Sequence, residues 1–311
     1  MTTSTVLLKA PLIFQMPPNK WSSSPFEGCI LTWEKNVLIV RPRSSESEPE
    51  MPALRNKTWL YDCLRHSPVK RIYLDPALDS SKFKAWADIC HATKKQIYLN
   101  VPSAPDLPQN RQPILWRVKR LADWCVALLL WVVLTPLMGL LAIGVRLDSR
   151  GPILFRQWRV GYQGRLFQIC KFRSMATDAE TRHHKVMTNQ KGLLHKLEHD
   201  PRVTKVGHWL RKFSLDELPQ LLNVLRGEMT LVGPRPWALY DAVRIEPLLQ
   251  QRLRALPGMT GMWQVTARSK FCDLAAVNRM DLDYLRQWTF KEDLKLLLMT
   301  LPKVVNGFGA F

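Results

Sequence analysis

The sequence has little acid to set against its base. Among 311 residues, 26 Asp and Glu face 45 Lys and Arg, a formal charge of +19. The excess is uneven. Residues 1–110 carry 14 basic and 10 acidic side chains, whereas residues 111–311 carry 31 and 16. Such a field repels cationic partners and attracts polyanions, whether nucleic acid, anionic lipid or a phosphorylated substrate. Cysteine is sparse and scattered. Cys29, Cys63, Cys90, Cys125, Cys170 and Cys272 include no C-x-x-C pair, which argues against a zinc site or a disulfide framework and for reduced cytosolic thiols. There is no G-x-G-x-x-G, no P-loop, no nucleic-acid recognition motif and no internal repeat. The opening MTTSTVLLKAPLIF lacks the basic start and small-residue cleavage site of a signal peptide.

Long hydrophobic runs are also rare, and the single exception is informative. Trp124 to Val145 is 22 residues without a charge, long enough to span a bilayer. Thr135-Pro136 interrupts it. A proline in a helix interior removes one hydrogen bond and crowds the preceding turn, which costs about 3 kcal/mol in water. Basic residues flank both ends: Arg111, Arg117, Lys119 and Arg120 before, and Arg146, Arg150, Arg156 and Arg159 after. A spanning helix concentrates such residues on one side. The pattern predicts a re-entrant helix over about 121–147, bent at Thr135-Pro136, with two arms of about 11 residues each.

Before this run, strand-like NVLIVRP, VKRIYLD and KKQIYLNV alternate with helical NKTWLYDCLRH and SSKFKAWADICHAT. The alternation predicts a small parallel α/β unit within residues 1–110, joined by an extended linker, PSAPDLPQNRQP, to residues 111–311. The expected fold class is thus an α/β N-terminal unit followed by a mostly helical α+β membrane-associated catalytic domain. After the membrane run, Gly161 and Gly164 mark a turn between short strands. Thr177 to His199 reads as a polar helix, on which His183, His184, His195 and His199 form a solvated face rather than a metal site. Asp281, Asp283 and Asp293 read as helix-surface partners of Arg279, Arg286 and Lys291. Trp263, Trp288 and Met299 suit either a lipid interface or a core.

The chemistry concentrates in SLDELPQLLNVLRGEMTLVGPRP, Ser214 to Pro236. Ser214 and Glu217 match a capping box, so one reading makes the acidic pair Asp216-Glu217 a helix start. That reading leaves the surrounding cations unexplained. Arg211 precedes the pair, Arg235 is held between two prolines, and Lys171 and Arg173 lie in KFRSM. Arginine forks and lysine point charges bind phosphate. A carboxylate attacking phosphorus needs its target's charge neutralised, by such cations and by a divalent metal on the acidic pair. Arg268 in TARS is a further phosphate or nucleotide candidate, balanced against a plain surface arginine. The LPGMTG turn reads equally as a loop over the site or a simple turn.

These motifs, in this order, resemble those of the bacterial polyprenyl-phosphate sugar-1-phosphate transferases, the monotopic initiating phosphoglycosyltransferases. The likeness runs from Arg117 to Phe311 and includes DPRVTKVGHWLRKFSLDELPQLLNVLRGEMTLVGPRP, LPGMTGMWQVTARS and the closing MDLDYLRQWTFKEDLKLLLMTLPKVV. Where many relatives read TGWAQVNGR, this chain reads TGMWQVTAR. The resemblance implies a Pro-broken re-entrant helix and a cytosolic globular part at the cytoplasmic leaflet of the bacterial inner membrane. It also implies Mg²⁺, a UDP-sugar donor and a polyprenyl (undecaprenyl) phosphate acceptor, with no nucleic acid. Asp216 would attack the donor's β-phosphate and expel UMP, and Glu217 would bind Mg²⁺ or deprotonate the lipid phosphate. Arg211 would lie near the phosphates. The rival reading is a non-catalytic, membrane-anchored binder of polyanions. Neither reading names the sugar or an oligomeric state.

Overall fold

A computed structural model describes residues 24–45, 47–179, 200–266 and 273–306. The first unit is a four-stranded sheet in the order β1 (Cys29–Glu34), β2 (Val37–Pro42), β3 (Arg71–Leu74), β4 (Gln96–Leu99). Strands β2, β3 and β4 run parallel, as the alternating pattern predicts, with α1 (Lys57–His66) and α2 (Ser80–Ala92) as crossovers. Asn56 starts α1 by accepting from the backbone N–H groups of Thr58 and Trp59, which satisfies two donors that a helix start leaves open. Strand β1 has no counterpart among the expected strands. It folds back antiparallel on β2 through the two-residue turn Lys35-Asn36, so the sheet is mixed. The six residues of β1, CILTWE, gain their place in the sheet from pairing with β2 along their whole length.

The expected linker is a correction. Val101, Ala104 and Leu107 are buried, and a short helix α3 (Pro108–Arg111) follows. Arg254 donates to the carbonyls of Val101 and Pro102. The segment therefore packs on the rest of the chain. One apolar cluster runs from Leu38, Ile72, Trp86 and Leu99 into Trp158, Leu166 and Trp237. Burying each such side chain contributes about 1.5–3 kcal/mol.

The hydrophobic run forms part of one helix, α4 (Pro113–Asp148), 36 residues long and apolar enough by length and composition to cross a membrane. The helix continues through Pro136. Thr135 donates its Oγ1 to the Trp131 carbonyl at 2.6 Å, a bond that eases bending at a proline. A stripe of Trp116, Lys119, Asp123, Ala127, Met138, Leu141 and Val145 is buried at helical spacing. The opposite face, including Leu129, Val132, Val133 and Leu140, is exposed. In water each of those side chains would forgo about 1.5–3 kcal/mol of burial.

Both ends of α4 are fastened to the same globular body. At its start, Arg120 donates to the Met229 carbonyl, Trp124 Nε1 to the Val224 carbonyl, and Lys119 pairs with Asp293 at 2.8 Å. At its end, Asp148 accepts from the Val206 N–H and Arg146 donates to the Gly151 carbonyl. The body contains the hairpin β5 (Leu154–Val160) and β6 (Leu166–Phe172), turned at Gly161 and Gly164 as expected. It also contains α5 (Lys205–Lys212), α6 (Leu221–Leu225), a parallel pair β7 (Thr230–Val232) and β8 (Gly258–Thr260), and α7 (Leu239–Ala242). Helices α8 (Met262–Thr266), α9 (Leu274–Arg286) and α10 (Phe290–Asn306) complete it.

The three aspartates expected on a helix surface divide. Asp281 is buried against Arg252 at 2.6 Å, and Asp293 is buried against Lys119 and the Tyr284 hydroxyl. Both are structural ion pairs between elements, which sequence spacing along one helix does not reveal. Trp263 and Trp288 are core residues.

Candidate active site

The acidic pair does not begin an α-helix. Ser214 adopts a left-handed conformation, φ 53°, and its side chain caps nothing, which corrects the capping-box reading. For a residue with a Cβ this conformation costs about 1–2 kcal/mol. Its effect is to end α5 sharply and launch the 3-10 turn Leu215–Gln220, which carries Asp216 and Glu217. Pro219 lies within that turn, and α6 follows directly. Adjacent residues on so tight a turn point about 120° apart. Asp216 is accordingly buried, whereas Glu217 turns to a neighbouring strand.

Four cations close around the pair. Lys171, near the end of β6, sets its Nζ 2.7 Å from Glu217 Oε1. Arg235 reaches the same oxygen at 3.6 Å. Arg211, at the end of α5, donates its Nε to Ser174 Oγ at 2.9 Å and faces the charge of Asp216. Arg159 on β5 donates to Gln157 Oε1 at 2.5 Å, and its charge is felt by Tyr240 and Asp241 and, less, by Glu217. Burial pushes the Asp216 carboxyl above its ordinary range, and the neighbouring Glu217 pushes it further. Lys171 opposes the rise most, then Arg211 and Arg235. Burial likewise pulls the Lys171 ammonium down against the two carboxylates, and brings Arg159 down to about 10. Groups that would rather be neutral are thus held close together, where each ionises only with the help of its neighbours.

The scaffold around Arg235 is stiff. Gly233 and Gly258 face each other so closely that a Cβ on Gly258 would overlap the Gly233 backbone. The Gly233 N–H donates to the Thr260 carbonyl, and the Gly258 N–H to the Pro234 carbonyl. LPGMTG is therefore the pairing partner of the GPRP segment, rather than a free turn. Arg252, buried and paired with Asp281, donates to the Arg235 carbonyl at 2.8 Å, so a second ion pair anchors the backbone beneath the first.

The structure brings together Asp216, Glu217, Lys171, Arg211 and Arg235 and separates Arg173 from them. This corrects the phosphate-binding expectation for Arg173. Its guanidinium is buried and donates to the carbonyls of Pro152 and Ser149 and to Ser149 Oγ. It closes the end of α4, where carbonyls lack partners and a cation is favoured. Arg268 lies outside the described residues, as do His183, His184, His195 and His199. Arg159 is the site cation absent from the sequence-based set. Its only signal is position: it lies on the strand that pairs with the strand of Lys171.

For magnesium, the donor set fits. Among the described residues no three metal-ligating side chains converge, so the protein alone forms no cage there. Mg²⁺ typically takes one or two carboxylates together with substrate phosphates and water, and Asp216 and Glu217 are such a pair.

Residues 114–307 match the family described as bacterial sugar transferase. The chain is 42% identical over 168 residues to a galactosyl transferase, CpsE, of Streptococcus agalactiae serotype III. That match covers 53% of this chain and 37% of the relative. It is 38% identical over 193 residues to the UDP-glucose:undecaprenyl-phosphate glucose-1-phosphate transferase of Escherichia coli, covering 60% and 40%. It is 41% identical over 201 residues to the Caulobacter vibrioides protein of the same description, covering 62% and 72%. The chain thus spans well under half the length of the first two relatives.

Proposed function

The chain belongs to the bacterial sugar transferase family, and from that premise we propose that it moves a sugar-1-phosphate from a UDP-sugar to a polyprenyl phosphate at a membrane. The products are a polyprenyl-diphosphate-sugar and UMP, and the step initiates a surface polysaccharide or related glycan. The observation that carries the proposal is the buried Asp216 carboxyl faced by Lys171, Arg211 and Arg235. Fixed cations around one carboxylate suit attack on a phosphoanhydride, whose charge must be offset as the transition state spreads it.

In the first step, Asp216 bonds to the donor's β-phosphorus, and the bond to the oxygen bridging toward the α-phosphate breaks. UMP leaves with that oxygen and its electron pair. In the second, a lipid phosphate oxygen bonds to the same phosphorus and the Asp216 carboxylate is released. Lys171 holds Glu217 in place. Arg235 and Arg211 would meet the phosphoryl oxygens, and Arg159 would add positive charge behind them. Bound Mg²⁺, held by Asp216 and Glu217 with the donor phosphates, would supply further charge neutralisation.

The geometry of α4 supports a re-entrant course. Both its ends are fastened to one body, so a body in the cytoplasm keeps both at the cytoplasmic face, with the apolar middle bent into the inner leaflet at Thr135-Pro136. Cysteines placed before Arg117 and after Arg150 should therefore label from the same side. Labelling from opposite sides would overturn this course.

The deciding experiment is a donor-only trap. Protein with Mg²⁺ and a UDP-sugar but no lipid acceptor should release UMP and gain a hexose-phosphate on Asp216 by mass spectrometry. The panel begins with UDP-glucose and UDP-galactose, since the relatives reported above are named for glucose or galactose transfer. UMP release with no adduct at residue 216 would refute the covalent route. No UMP from any donor, with or without acceptor, would favour the polyanion binder.

A further inference from the structure

Where the first unit meets the body, a half-open cavity of about 500 Å³ lies between the end of α2, the edge strand β4 and the β5–β6 hairpin. Its cations come from both sides. Lys94 and Lys95 belong to the first unit, and Arg156, Arg165 and Arg226 to the body. Glu228 is the only acid in the lining, and it accepts from Asn223. The nearby Asp88 accepts from the Trp158 indole at 2.8 Å, a bond that ties the two sides together. Among the described residues, the charged groups of Lys94, Arg156 and Arg165 have no hydrogen-bond or ion-pair partner. Lys94 also holds a left-handed backbone, φ 56°, just past the end of α2. Glycine fits that position with least strain, yet the chain has a lysine aimed at the seam.

Like charges converging in a concavity repel one another, and a multivalent anion relieves the repulsion while accepting their unused donors. We propose that this seam is a binding site for a small, soluble, phosphate-bearing anion, distinct from the catalytic cage. None of Lys171, Asp216, Glu217, Arg211 or Arg235 lines it. The two sites share a strand: Gln168 and Cys170 of β6 line the seam, and Lys171, the next residue, holds Glu217. Asn223, two residues after α6 begins, accepts from the Cys170 N–H and donates to the Gln168 carbonyl. An anion drawing the first unit onto the hairpin therefore acts on the strand that positions Lys171 against Glu217.

Inorganic diphosphate is the probe, titrated calorimetrically into the full chain in zwitterionic lipid nanodiscs. The expected result is a binding event that survives Arg235→Ala and weakens about tenfold or more in Lys94→Ser/Arg165→Ser. Both altered seam residues are exposed, and an unchanged melting curve and unchanged UMP release at saturating donor would show the fold and the catalytic site intact. Diphosphate binding that the seam variant leaves unaltered, or that Arg235→Ala alone abolishes, would overturn the proposal. So would a seam variant that loses only its attachment to vesicles containing anionic lipid, because the cations would then serve the membrane surface. The readout is binding, so its failure is separable from failure of the transferase reading.

Discussion

Replacing Lys171 with Met tests the electrostatic account of the site. The lysine Nζ lies 2.7 Å from Glu217 Oε1, and the two side chains are 15% and 16% exposed. A charge-assisted hydrogen bond is worth about 1.5–3 kcal/mol, and stranding a fully buried charge costs about 3–5 kcal/mol. Because this pair retains some contact with water, the lower range applies, and a stability loss of about 2 kcal/mol is expected. The pH dependence is the sharper readout. The Asp216 carboxyl is already raised by burial, and Lys171 is the largest influence holding it down. A raised carboxyl favours the fold while protonated, and that contribution is lost as pH rises through its folded value. The nucleophile, however, must be ionised. Activity therefore climbs with pH through the folded value of Asp216, and removing Lys171 moves that acid limb to higher pH. Donor-dependent UMP release across pH 5 to 9 measures the limb, and a denaturant melt measures the stability. Lys171→Arg, which keeps the charge, should restore the limb better than Met. A Met variant that is less stable but has an unmoved limb would refute the reasoning and leave Lys171 a packing residue.

Three further outcomes follow from the same geometry. Arg173→Met should lower stability by about 2–4 kcal/mol, because several backbone and hydroxyl acceptors lose a buried charged donor, yet the KM for the donor in folded protein should stay near wild type. A large rise in KM with unchanged stability would return Arg173 to the substrate site. Gly207→Ala should destabilise by about 1–3 kcal/mol, because a Cβ there overlaps the Ser174 carbonyl oxygen. Ser174 also holds Arg211, so the KM for the donor should rise with it; a neutral result in both assays would contradict the packing. Chelation with EDTA should stop UMP release and Mg²⁺ should restore it, whereas full activity in EDTA would remove the metal from the account.

Much of the fold was legible because its signals are local. Val37–Pro42, Arg71–Leu74 and Gln96–Leu99 are short apolar runs punctuated by polar turns, and the two helices between them start at Asn56 and Asp79, residue types that favour helix starts. The edge strand β1 and the packed course of Val101 to Leu107 were not, because each depends on a surface supplied from elsewhere in the chain. Ser214 and Glu217 show how a local signal can mislead. Their spacing satisfies the capping-box pattern, but the following Pro219 and the packing of the 3-10 turn against β6 favour another backbone.

The sequence by itself determined that this chain carries one long apolar run, an acidic pair among cations and a basic excess concentrated in its later two thirds. Those properties depend on residue identity and on spacings of a few residues, which the chain carries in any conformation. Only the tertiary structure decided which cations serve the pair. Lys171 and Arg173 are two residues apart, yet one closes on Glu217 and the other on the carbonyls at the end of α4. Arg159 joins the site from a strand more than fifty residues before Asp216 in the chain. A charge interacts strongly only with groups a few ångströms away, and which groups those are is set by how distant segments pack.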